Sequence, residues 1–385
     1  MLIDNILFLN SHKKFFCIII IFLISNLFIK RNLLLEFFWI RNKYDCLEDY
    51  LKLCSKEKII NFRDIHKKKI PKISVISAVY NKEKYILRFI HSIQEQSFFD
   101  YEIILIDDFS QDSSAKLIKI YQENDPRIIL IKNKKNYGTF KSRNIGALKS
   151  NGEFIIFPDP DDLLSKDSLR TLFNFATKHD YEMLRFNLYI GNRTIFMEGL
   201  IQQINSRKVY QPELSTYCFY GQGFLKQIDF NLTNKLIKRI VFIKALNSLS
   251  NEYLNLHITL FEDGILNYIL YKYANSFYFL KKIGYYYIKN PNSITKKGFD
   301  SKAIKAIFIH LKIVYEYSKN KKYEKDMFND IFQRICIKNN VTELISRLNI
   351  ENDYEFYIKT INKFINNEFI NINNKKYILL LKNLL

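Results

Sequence analysis

The segment Glu153–Asp162, EFIIFPDPDD, joins a predicted buried strand to a group of carboxylates. Its first half, EFIIF, is a short apolar run of the length and composition typical of a strand that is covered on both faces. Its second half places Asp159, Asp161 and Asp162 directly after that strand, and Pro160 restricts the turn between them because its ring fixes φ. The segment therefore predicts a core strand that ends in closely spaced acidic side chains.

Outward from this segment, apolar runs and amphipathic segments alternate along the chain. Three more strands are predicted at Ile73–Val79, Glu102–Ile106 and Arg127–Ile131. Helices are predicted at Tyr85–Gln96, Asp112–Glu123, Thr139–Leu148 and Asp167–Thr177. Such alternation is typical of βαβ units, and it predicts an α/β fold with a mostly parallel sheet and helices on both faces.

The second half of the chain has weaker patterns. Residues 190–260 mix strand and loop signals, a helix is predicted at Phe261–Ala274, and an aromatic strand follows at Phe277–Tyr287. After Ser301 the pattern is helical, rich in lysine and polar on one face. We therefore expect an α/β domain over residues 71–298 and a helical C-terminal extension over residues 299–385.

Acidic residues follow two of the predicted strands. Asp107 and Asp108 come after the second strand, and the Asp159–Asp162 group comes after the fourth. Ligands of open α/β sheets bind beyond the carboxyl ends of the strands. Carboxylates gathered there repel one another unless a cation lies among them, and oxygen ligands select Mg²⁺ or Mn²⁺, which often bridge to a phosphate. The sequence thus indicates a divalent ion with a diphosphate, whereas the alternative role of helix capping accounts for one aspartate only.

Several common cofactor and catalytic motifs are missing from the sequence. Neither GxGxxG nor GxxxxGK[ST] occurs, which argues against a dinucleotide dehydrogenase and a P-loop NTPase. HExxH, a CxxC pair and GxSxG are also missing, and the six histidines have no metal-ligand spacing. The motifs therefore favour chemistry based on carboxylates.

An adjacent acidic pair, Glu262 and Asp263, lies at the start of a predicted helix in LFEDGILNYIL. On local sequence alone a structural role is favoured, because acidic side chains in the first turn of a helix are stabilised by its dipole. The family resemblance described below favours a catalytic role for the same pair instead.

The uncharged run Phe15–Ile29, FFCIIIIFLISNLFI, is flanked by basic residues on both sides. As a helix it would be roughly 22 Å long, and snorkelling of the flanking stems or a thin bilayer would let it span. No small-residue cleavage site follows it, and it has no polar face for packing in a soluble core. We expect a short tail at residues 1–14, an uncleaved signal-anchor at residues 15–29 and a stem at residues 30–70.

The chain has 59 basic and 39 acidic residues among 385, which gives a formal net charge of +20. A charge of this size attracts polyanions such as nucleic acid or anionic lipid. The lysines are spread along the chain, however, and no RNA-recognition, zinc-finger or basic-zipper signature is present. We therefore expect no nucleic-acid partner, and the hydrophobic content of 48% excludes disorder over most of the chain.

Three stretches of the chain carry four motifs in the order and spacing of a known family. They are SVISAVYNKEKYI, YEIILIDDFSQDSS and NYGTFKSRNIGALKSNGEFIIFPDPDDLL. Together they resemble the nucleotide-sugar-binding half of family 2 glycosyltransferases, which have the GT-A fold. The resemblance covers about Lys72–Phe175 closely and continues more loosely through Glu262 and Asp263 to Thr295.

The resemblance implies a nucleotide site. The segment from Ala78 through Tyr80 to Asn81 corresponds to the family segment that lines the nucleobase and ribose. Asp108 corresponds to the acidic residue that usually contacts uridine. A dipeptide near the nucleotide corresponds to Arg143 and Asn144. The donor implied is a nucleotide-diphospho-sugar, with UDP as the expected nucleotide.

The resemblance also implies the metal site and the catalytic base. Asp159, Asp161 and Asp162 match the DxD-type motif, and Asp161 is expected to bind the Mn²⁺ or Mg²⁺ ion directly. Asp263 matches the base of the Glu-Asp motif, with Glu262 beside it. The implied mechanism is an inverting single displacement in which Asp263 removes the proton of the acceptor hydroxyl.

Three positions depart from the family pattern. Ala78 stands where proline is common, Phe109 stands where glycine is common, and Pro160 is unusual inside the DxD-type motif. Phenylalanine in place of glycine is expected to alter the turn and narrow the nucleotide pocket. None of the departures removes a charged group that the family uses.

Four functions remain open at this point. The first is a single-pass membrane enzyme of the endoplasmic reticulum or Golgi, with a lumenal catalytic domain and a glycan acceptor. The second is a transferase at the membrane surface that acts on a lipid-linked acceptor. The third is a non-catalytic nucleotide-sugar-binding protein of the same fold, and the fourth is a polyanion-binding protein, which the charge of +20 suggests.

Overall fold

The structure, a computed structural model, describes residues 70–190, 193–195, 209–210 and 231–288, and eight helical residues between 306 and 317. The predicted tail, signal-anchor and nearly all of the stem lie outside the described residues, as does most of the predicted C-terminal extension. Among the described residues, no helix has both the length and the apolar character needed to cross a membrane. The signal-anchor at Phe15–Ile29 therefore stays a prediction.

Four parallel strands form the first half of the sheet, in the order β3-β2-β1-β4. Their bounds are β1 Ile73–Val79, β2 Tyr101–Asp107, β3 Ile128–Lys132 and β4 Phe154–Ile156. The helices that connect them are α1 Ile86–Gln94, α2 Ser114–Asn124 and α3 Thr139–Lys149. The predicted alternation is confirmed, and the fully buried β2 agrees with a sheet covered on both faces.

The second half of the described sheet is built from shorter and more widely separated segments. Its strands are β5 Leu163–Leu164, β6 Met183–Ile190, β7 Arg193–Ile195, β8 Val209–Tyr210, β9 Lys235–Lys238 and β10 Ser276–Tyr287. Its helices are α4 Ser168–His179, α5 Arg239–Asn247, α6 Asn251–Leu254 and α7 Glu262–Tyr273. The helix predicted at Phe261–Ala274 and the aromatic strand predicted at Phe277–Tyr287 are confirmed as α7 and β10.

The sheet is mixed, because antiparallel strands join the parallel ones that the sequence predicts. The order of strands is β3-β2-β1-β4-β9-β6-β10-β5, with β9 antiparallel to both β4 and β6. β6 and β10 are parallel to each other, whereas β5 and β8 pair antiparallel with β10. The antiparallel strands come from segments of two to four residues, which are too short to give a periodic pattern.

The start of the predicted C-terminal extension packs into the core of the protein. Ile313 and Val314 are fully buried. The Val314 carbonyl accepts a hydrogen bond of 3.2 Å from the Tyr268 hydroxyl of α7. Glu316 accepts another hydrogen bond from the hydroxyl of Tyr253. This helical segment is therefore part of the structure that supports α7 and the acidic pair at its start.

Helix α3 packs on β1 and β2 through a glycine. A Cβ atom at Gly146 would lie 2.4 Å from Cγ2 of Ile76 and 2.7 Å from Cδ1 of Ile106. Both isoleucines are fully buried, so they have little space into which to move. The missing side chain lets α3 approach the sheet closely, and α3 also carries Arg143 and Asn144.

We expect Gly146→Ala to destabilise the protein, although the same change in an exposed helix is stabilising by about 1 kcal/mol. The added methyl group overpacks the core, and such changes cost about 1–3 kcal/mol. Chemical denaturation of the two proteins measures the effect. Leu148→Ala on the exposed side of α3 is the control and should change stability by less than about 0.5 kcal/mol. A stabilised Gly146→Ala protein would contradict the packing described here.

Candidate active site

The candidate site lies beyond the carboxyl ends of the parallel strands. Val79 at the end of β1 pairs with Asp107 at the end of β2. The loop after β4 reaches the same edge, because the Ser77 hydroxyl donates a 2.8 Å hydrogen bond to the Pro158 carbonyl. This loop carries Asp159, Asp161 and Asp162. The two acidic groups predicted from the sequence therefore meet at one edge of the sheet.

Arg143 of α3 is buried at the centre of this edge. Its Nη2 atom donates to Oδ1 of Asp159 at 2.8 Å. Its Nη1 atom donates to Oε1 of Glu262 at 3.1 Å and also to Oδ1 of Asp263. One guanidinium thus joins the loop after β4 to the start of α7. Glu262, at that start, lies 119 residues after Arg143 in the chain. The nucleotide-binding role predicted for Arg143 stays a prediction, beside this structural role that the sequence did not indicate.

The environment of Arg143 changes the protonation of its neighbours. Burial, followed by the nearby Asp263 carboxylate, raises the pKa of Glu262 to about 8, although Arg143 acts to lower it. Burial by itself would lower the pKa of Arg143, but the surrounding carboxylates of Asp263, Asp159 and Glu262 raise it. Near neutral pH, the group therefore combines a charged guanidinium with a largely protonated Glu262.

Asp263 is held in a defined orientation. Its Oδ1 atom accepts from Arg143, and its Oδ2 atom accepts a 3.1 Å hydrogen bond from the backbone amide of Leu232. The preceding Phe261 has a left-handed backbone with φ of 60°. The side chain of Asp263 is 22% exposed, so it remains accessible to a substrate hydroxyl. Its position in the first turn of α7 fits both the helix-dipole role and the catalytic role predicted from the sequence.

The three aspartates of the PDPDD segment have different partners. Oδ2 of Asp161 lies 2.6 Å from Nζ of Lys82. Asp162 turns toward β10, where it accepts from the Tyr285 hydroxyl at 2.6 Å and from the Ile288 amide at 2.8 Å. Asp159 turns toward Arg143. The three side chains therefore do not converge on one point, although they were predicted together as metal ligands.

Asp161 fits a metal ion that is shared with a substrate. Among the described residues, no three His, Cys, Asp or Glu side chains are placed to hold a metal ion by themselves. Mg²⁺ is commonly bound by one or two carboxylates together with substrate phosphates and water. Asp161 is 17% exposed at the side chain and can supply one such carboxylate. Burial raises the pKa of Asp162, with Asp159 and Asp161 adding to the effect, which makes Asp162 a weaker candidate.

Both carboxylate oxygens of Asp108 accept hydrogen bonds from the loop between β3 and α3. Its Oδ1 atom accepts from Nδ2 of Asn133 at 2.7 Å and from the Tyr137 amide at 2.8 Å. Its Oδ2 atom accepts from the Gly138 amide at 2.8 Å. Asp108 thus fixes the entry to α3, and its predicted contact with uridine stays a prediction.

The other predicted nucleotide residues lie at or near the same edge. Ala78 belongs to β1, and Tyr80 follows it with 45% of its surface exposed. Asn81 ties two loops together, because its amide donates to Ser110 at 3.0 Å and its Oδ1 atom accepts from the Gln111 amide at 2.8 Å. These contacts leave the ring of Tyr80 as the open surface of the segment.

Several buried polar side chains of the described residues have atoms without a hydrogen bond, and Asn144 and Asp107 are two of them. Both polar atoms of Asn144 and the Oδ1 atom of Asp107 have no partner within the part of the chain that the structure describes. Buried polar groups are nearly always paired, and an unpaired one costs about 1–3 kcal/mol. Both residues are therefore candidates to contact a ligand. Sequence analysis named Asn144 for this role and used Asp107 only as part of the acidic edge.

Non-glycine residues with left-handed backbones cluster in the loops of the site. Asn81 has φ of 51°, and Phe109 has φ of 67°. The backbone at Phe109 therefore has a conformation that glycine favours, although the side chain is phenylalanine. The ring of Phe109 is 48% exposed, and the predicted alteration of this turn stays a prediction. Strain of this kind is typical of functional loops.

Sequence analysis missed Lys82 and Tyr285 as parts of the site. Lys82 lies 79 residues before Asp161, and Tyr285 lies 123 residues after Asp162. The position of Lys82 directly after Asn81, in a segment already assigned to the site, was the one available signal. Tyr285 had no signal, because it belongs to an aromatic strand like many of its neighbours.

Comparisons with known proteins agree with this geometry. Residues 74–236 match the family model described as "Glycosyl transferase family 2". The crystal structure of residues 1–349 of TarS from S. aureus in complex with UDP-GlcNAc is similar in fold, with a TM-score of 0.57 and 19% identity over 76% of this chain and 80% of that one. The structure of the same TarS fragment with UDP gives a TM-score of 0.59 at 19% identity, over 81% of this chain and 87% of that one.

Three curated relatives show what share of each protein the similarity covers. "Glycosyltransferase GlyG" of Streptococcus pneumoniae is 25% identical over 236 residues, which are 59% of this chain and 74% of that protein. An "Uncharacterized glycosyltransferase" of Haemophilus influenzae is 38% identical over 31% of this chain and 47% of its own length. "Poly(ribitol-phosphate) beta-N-acetylglucosaminyltransferase TarS" of Staphylococcus aureus is 28% identical over 43% of this chain and 30% of its own length. The similarity therefore covers less than half of the last two.

Replacing Arg143 with methionine should destabilise the protein by about 3–5 kcal/mol, because the carboxylates of Asp159 and Asp263 lose the cation that compensates them. Denaturant unfolding measures the loss. The added change Asp159→Asn should recover part of it, since one carboxylate is then removed. Arg170→Met, at an exposed arginine of α4, is the control. If the Arg143 and Arg170 variants were equally stable, the central role of Arg143 would be wrong.

The pH dependence of stability should show the raised pKa of Glu262. In the folded protein this group binds a proton up to a pH of about 8, whereas its ordinary value is 4.5. Folding therefore takes up a proton between these values, and stability is lost as the pH rises through this range, at up to about 1.4 kcal/mol per pH unit. Unfolding midpoints from pH 5 to 9, compared with those of Glu262→Gln, test this. Parallel pH profiles for the two proteins would contradict it.

Proposed function

We propose that this chain, whose residues 74–236 form a glycosyltransferase family 2 domain, transfers a sugar from a nucleotide-diphospho-sugar to an acceptor hydroxyl. The observation that carries the proposal is the buried contact of Arg143 with Asp159, Glu262 and Asp263. It holds the acidic loop after β4 beside the acidic pair of α7. A donor and an acceptor bound at these two places would meet at the same edge of the sheet.

Asp263 is the catalytic base in this proposal. The acceptor oxygen attacks C1 of the sugar, the bond from C1 to the diphosphate oxygen breaks with its electrons, and Asp263 takes the proton of the acceptor hydroxyl. Attack opposite to the leaving group inverts the configuration at C1. Arg143 and the Leu232 amide orient the Asp263 carboxylate for this role. Glu262, protonated at neutral pH, is a positioning residue that binds the same guanidinium.

The proposal includes a divalent ion, Mn²⁺ or Mg²⁺, that Asp161 would hold together with the donor. Such an ion supplies charge that stabilises a departing diphosphate. The partly exposed carboxylate of Asp161 supports this shared arrangement. The chain's own contribution is a fixed loop, because the Ser77 hydroxyl and the Tyr285 hydroxyl both bind the backbone of the segment.

We further propose a UDP-sugar as the donor and a cell-surface glycan or a lipid-linked molecule as the acceptor. The unpaired polar atoms of Asn144 and Asp107 and the exposed ring of Tyr80 support a nucleoside site at this edge. The UDP-GlcNAc complex of the structurally similar TarS supports UDP as the nucleotide. The proposal also includes attachment to a membrane through residues 15–29, without a particular cellular compartment.

The test is a transfer assay with the full-length chain, Mn²⁺ and a panel of nucleotide sugars, scored for release of the nucleoside diphosphate. Asp263→Asn should lower turnover by about 10²- to 10⁴-fold, because a positioned general base contributes this much. UDP affinity should change little, since the base acts on the acceptor.

Glu252→Gln, at an exposed acidic residue of α6, is the matched control and should keep normal turnover. Thermal melts of both variants report whether each one folds. Normal turnover of a folded Asp263→Asn protein would remove Asp263 as the base. If the unaltered chain binds no nucleotide sugar, the glycosyltransferase proposal itself is wrong.

A further inference from the structure

The side chain of Lys82 forms an ion pair with the carboxylate of Asp161, to which the proposed metal ion would bind. Its Nζ atom lies 2.6 Å from Oδ2 of Asp161, and the two side chains are 25% and 17% exposed. A surface lysine usually samples many conformations, so such a contact often contributes little. Here the pair is largely shielded from solvent, which strengthens the attraction.

The backbone of Lys82 is fixed by the fold. Its amide donates a 2.8 Å hydrogen bond to the hydroxyl of Ser114 at the start of α2. Its carbonyl accepts from the amides of Tyr85 and Ile86 at 2.9 Å each. The preceding Asn81 has a left-handed backbone, which determines the direction in which the loop leaves β1. The ammonium group therefore contacts Asp161 from a residue whose backbone is held in place by hydrogen bonds.

Asp161 is held independently of Lys82. Nη2 of Arg88 donates to the Asp161 carbonyl at 3.3 Å. The loop that carries Asp161 is also bound through Asp159, whose amide donates to the Tyr285 hydroxyl at 3.0 Å. The ammonium of Lys82 can therefore leave the carboxylate while the loop keeps its place. The ammonium has three donors and no acceptor, so a phosphate oxygen is a suitable alternative partner.

We propose that Lys82 is a diphosphate-binding residue that couples metal binding to donor binding. In the donor-free protein its ammonium pairs with Asp161. When a divalent ion takes the carboxylate, the ammonium pairs with the donor diphosphate instead. The inference rests on the proposed function and adds to it a specific residue. It implies that the ion and the nucleotide each strengthen the binding of the other. The ion alone must displace the ammonium of Lys82 from Asp161, and the nucleotide alone must draw the same ammonium away from Asp161 or bind without it.

The experiment is a titration of the full-length protein with Mn²⁺, followed by the electron paramagnetic resonance signal of the free ion, with and without UDP. We expect Lys82→Met to bind Mn²⁺ alone more tightly, by about fivefold or more, because the competing ammonium is gone. In the presence of saturating Mn²⁺, the same variant should bind UDP more weakly, by about tenfold. A purely structural role would not move the two affinities in opposite directions.

Two further variants complete the design. Lys84→Met removes the same charge from an exposed residue two positions away and should leave both affinities unchanged. Lys82→Arg keeps a cation at the site, so its Mn²⁺ affinity should stay near that of the unaltered protein even if Lys82→Met folds poorly.

Three results would overturn the inference. Equal Mn²⁺ affinity of folded Lys82→Met and unaltered protein would show that the ammonium does not compete with the ion. If Lys82→Arg bound Mn²⁺ more tightly than the unaltered protein and as tightly as Lys82→Met, a cation at this position would not compete with the ion either. If the unaltered protein binds UDP but binds no Mn²⁺ with it, the inference and the proposed metal are both wrong, and the proposed donor site stands. Failure of the unaltered protein to bind UDP would overturn the inference together with the proposed function.

Discussion

The burial of one guanidinium among three acidic side chains is the constraint on which the site depends. Arg143 could not be placed under the sheet edge without these partners, because an uncompensated charge at that depth costs several kcal/mol. The carboxylates in turn could not lie so close together without the cation. The group thus specifies how α3, the loop after β4 and the start of α7 fit together. Packing alone would leave these three segments free to shift.

The parallel half of the fold could be predicted from the sequence, because its strands are apolar runs of three to seven residues alternating with amphipathic helices. β9 could not be predicted, since four residues within an irregular stretch give no periodic pattern. The position of the site could also be predicted, from acidic residues after two strands. The pairs that join Arg143 to α7 and Lys82 to Asp161 could not, because contacts between residues 79 to 120 positions apart depend on the assembled fold.

The loops of the site combine backbone strain with dense hydrogen bonding. Asn81 and Phe109 both have positive φ, which costs free energy for a non-glycine residue. The surrounding contacts offset that cost, since Gln111 binds Asn81 through its amide and the Phe109 carbonyl through its side chain. Phe109 thereby keeps an apolar ring in water at the edge where a nucleoside is proposed to bind. A loop built in this way is rigid before any ligand arrives, so little ordering remains to be done on binding.

The place of β9 in the sheet has a consequence for how the chain acquires its structure. β9 lies between β4 and β6, yet it comes later in the chain than both, at Lys235–Lys238. While the polypeptide is being synthesised, β4 and β6 therefore leave the ribosome with their backbone amides and carbonyls unpaired along the sides that will later meet β9. Open strand edges of this kind are prone to pair with other chains. The central sheet closes only when a segment from much further along the chain inserts between them, and such long-range closure slows folding. β10, the other partner of β6, comes later still, so a nascent chain of this protein has open strand edges from the synthesis of β6 until β10 joins the sheet. This is the period in which it most needs protection from aggregation.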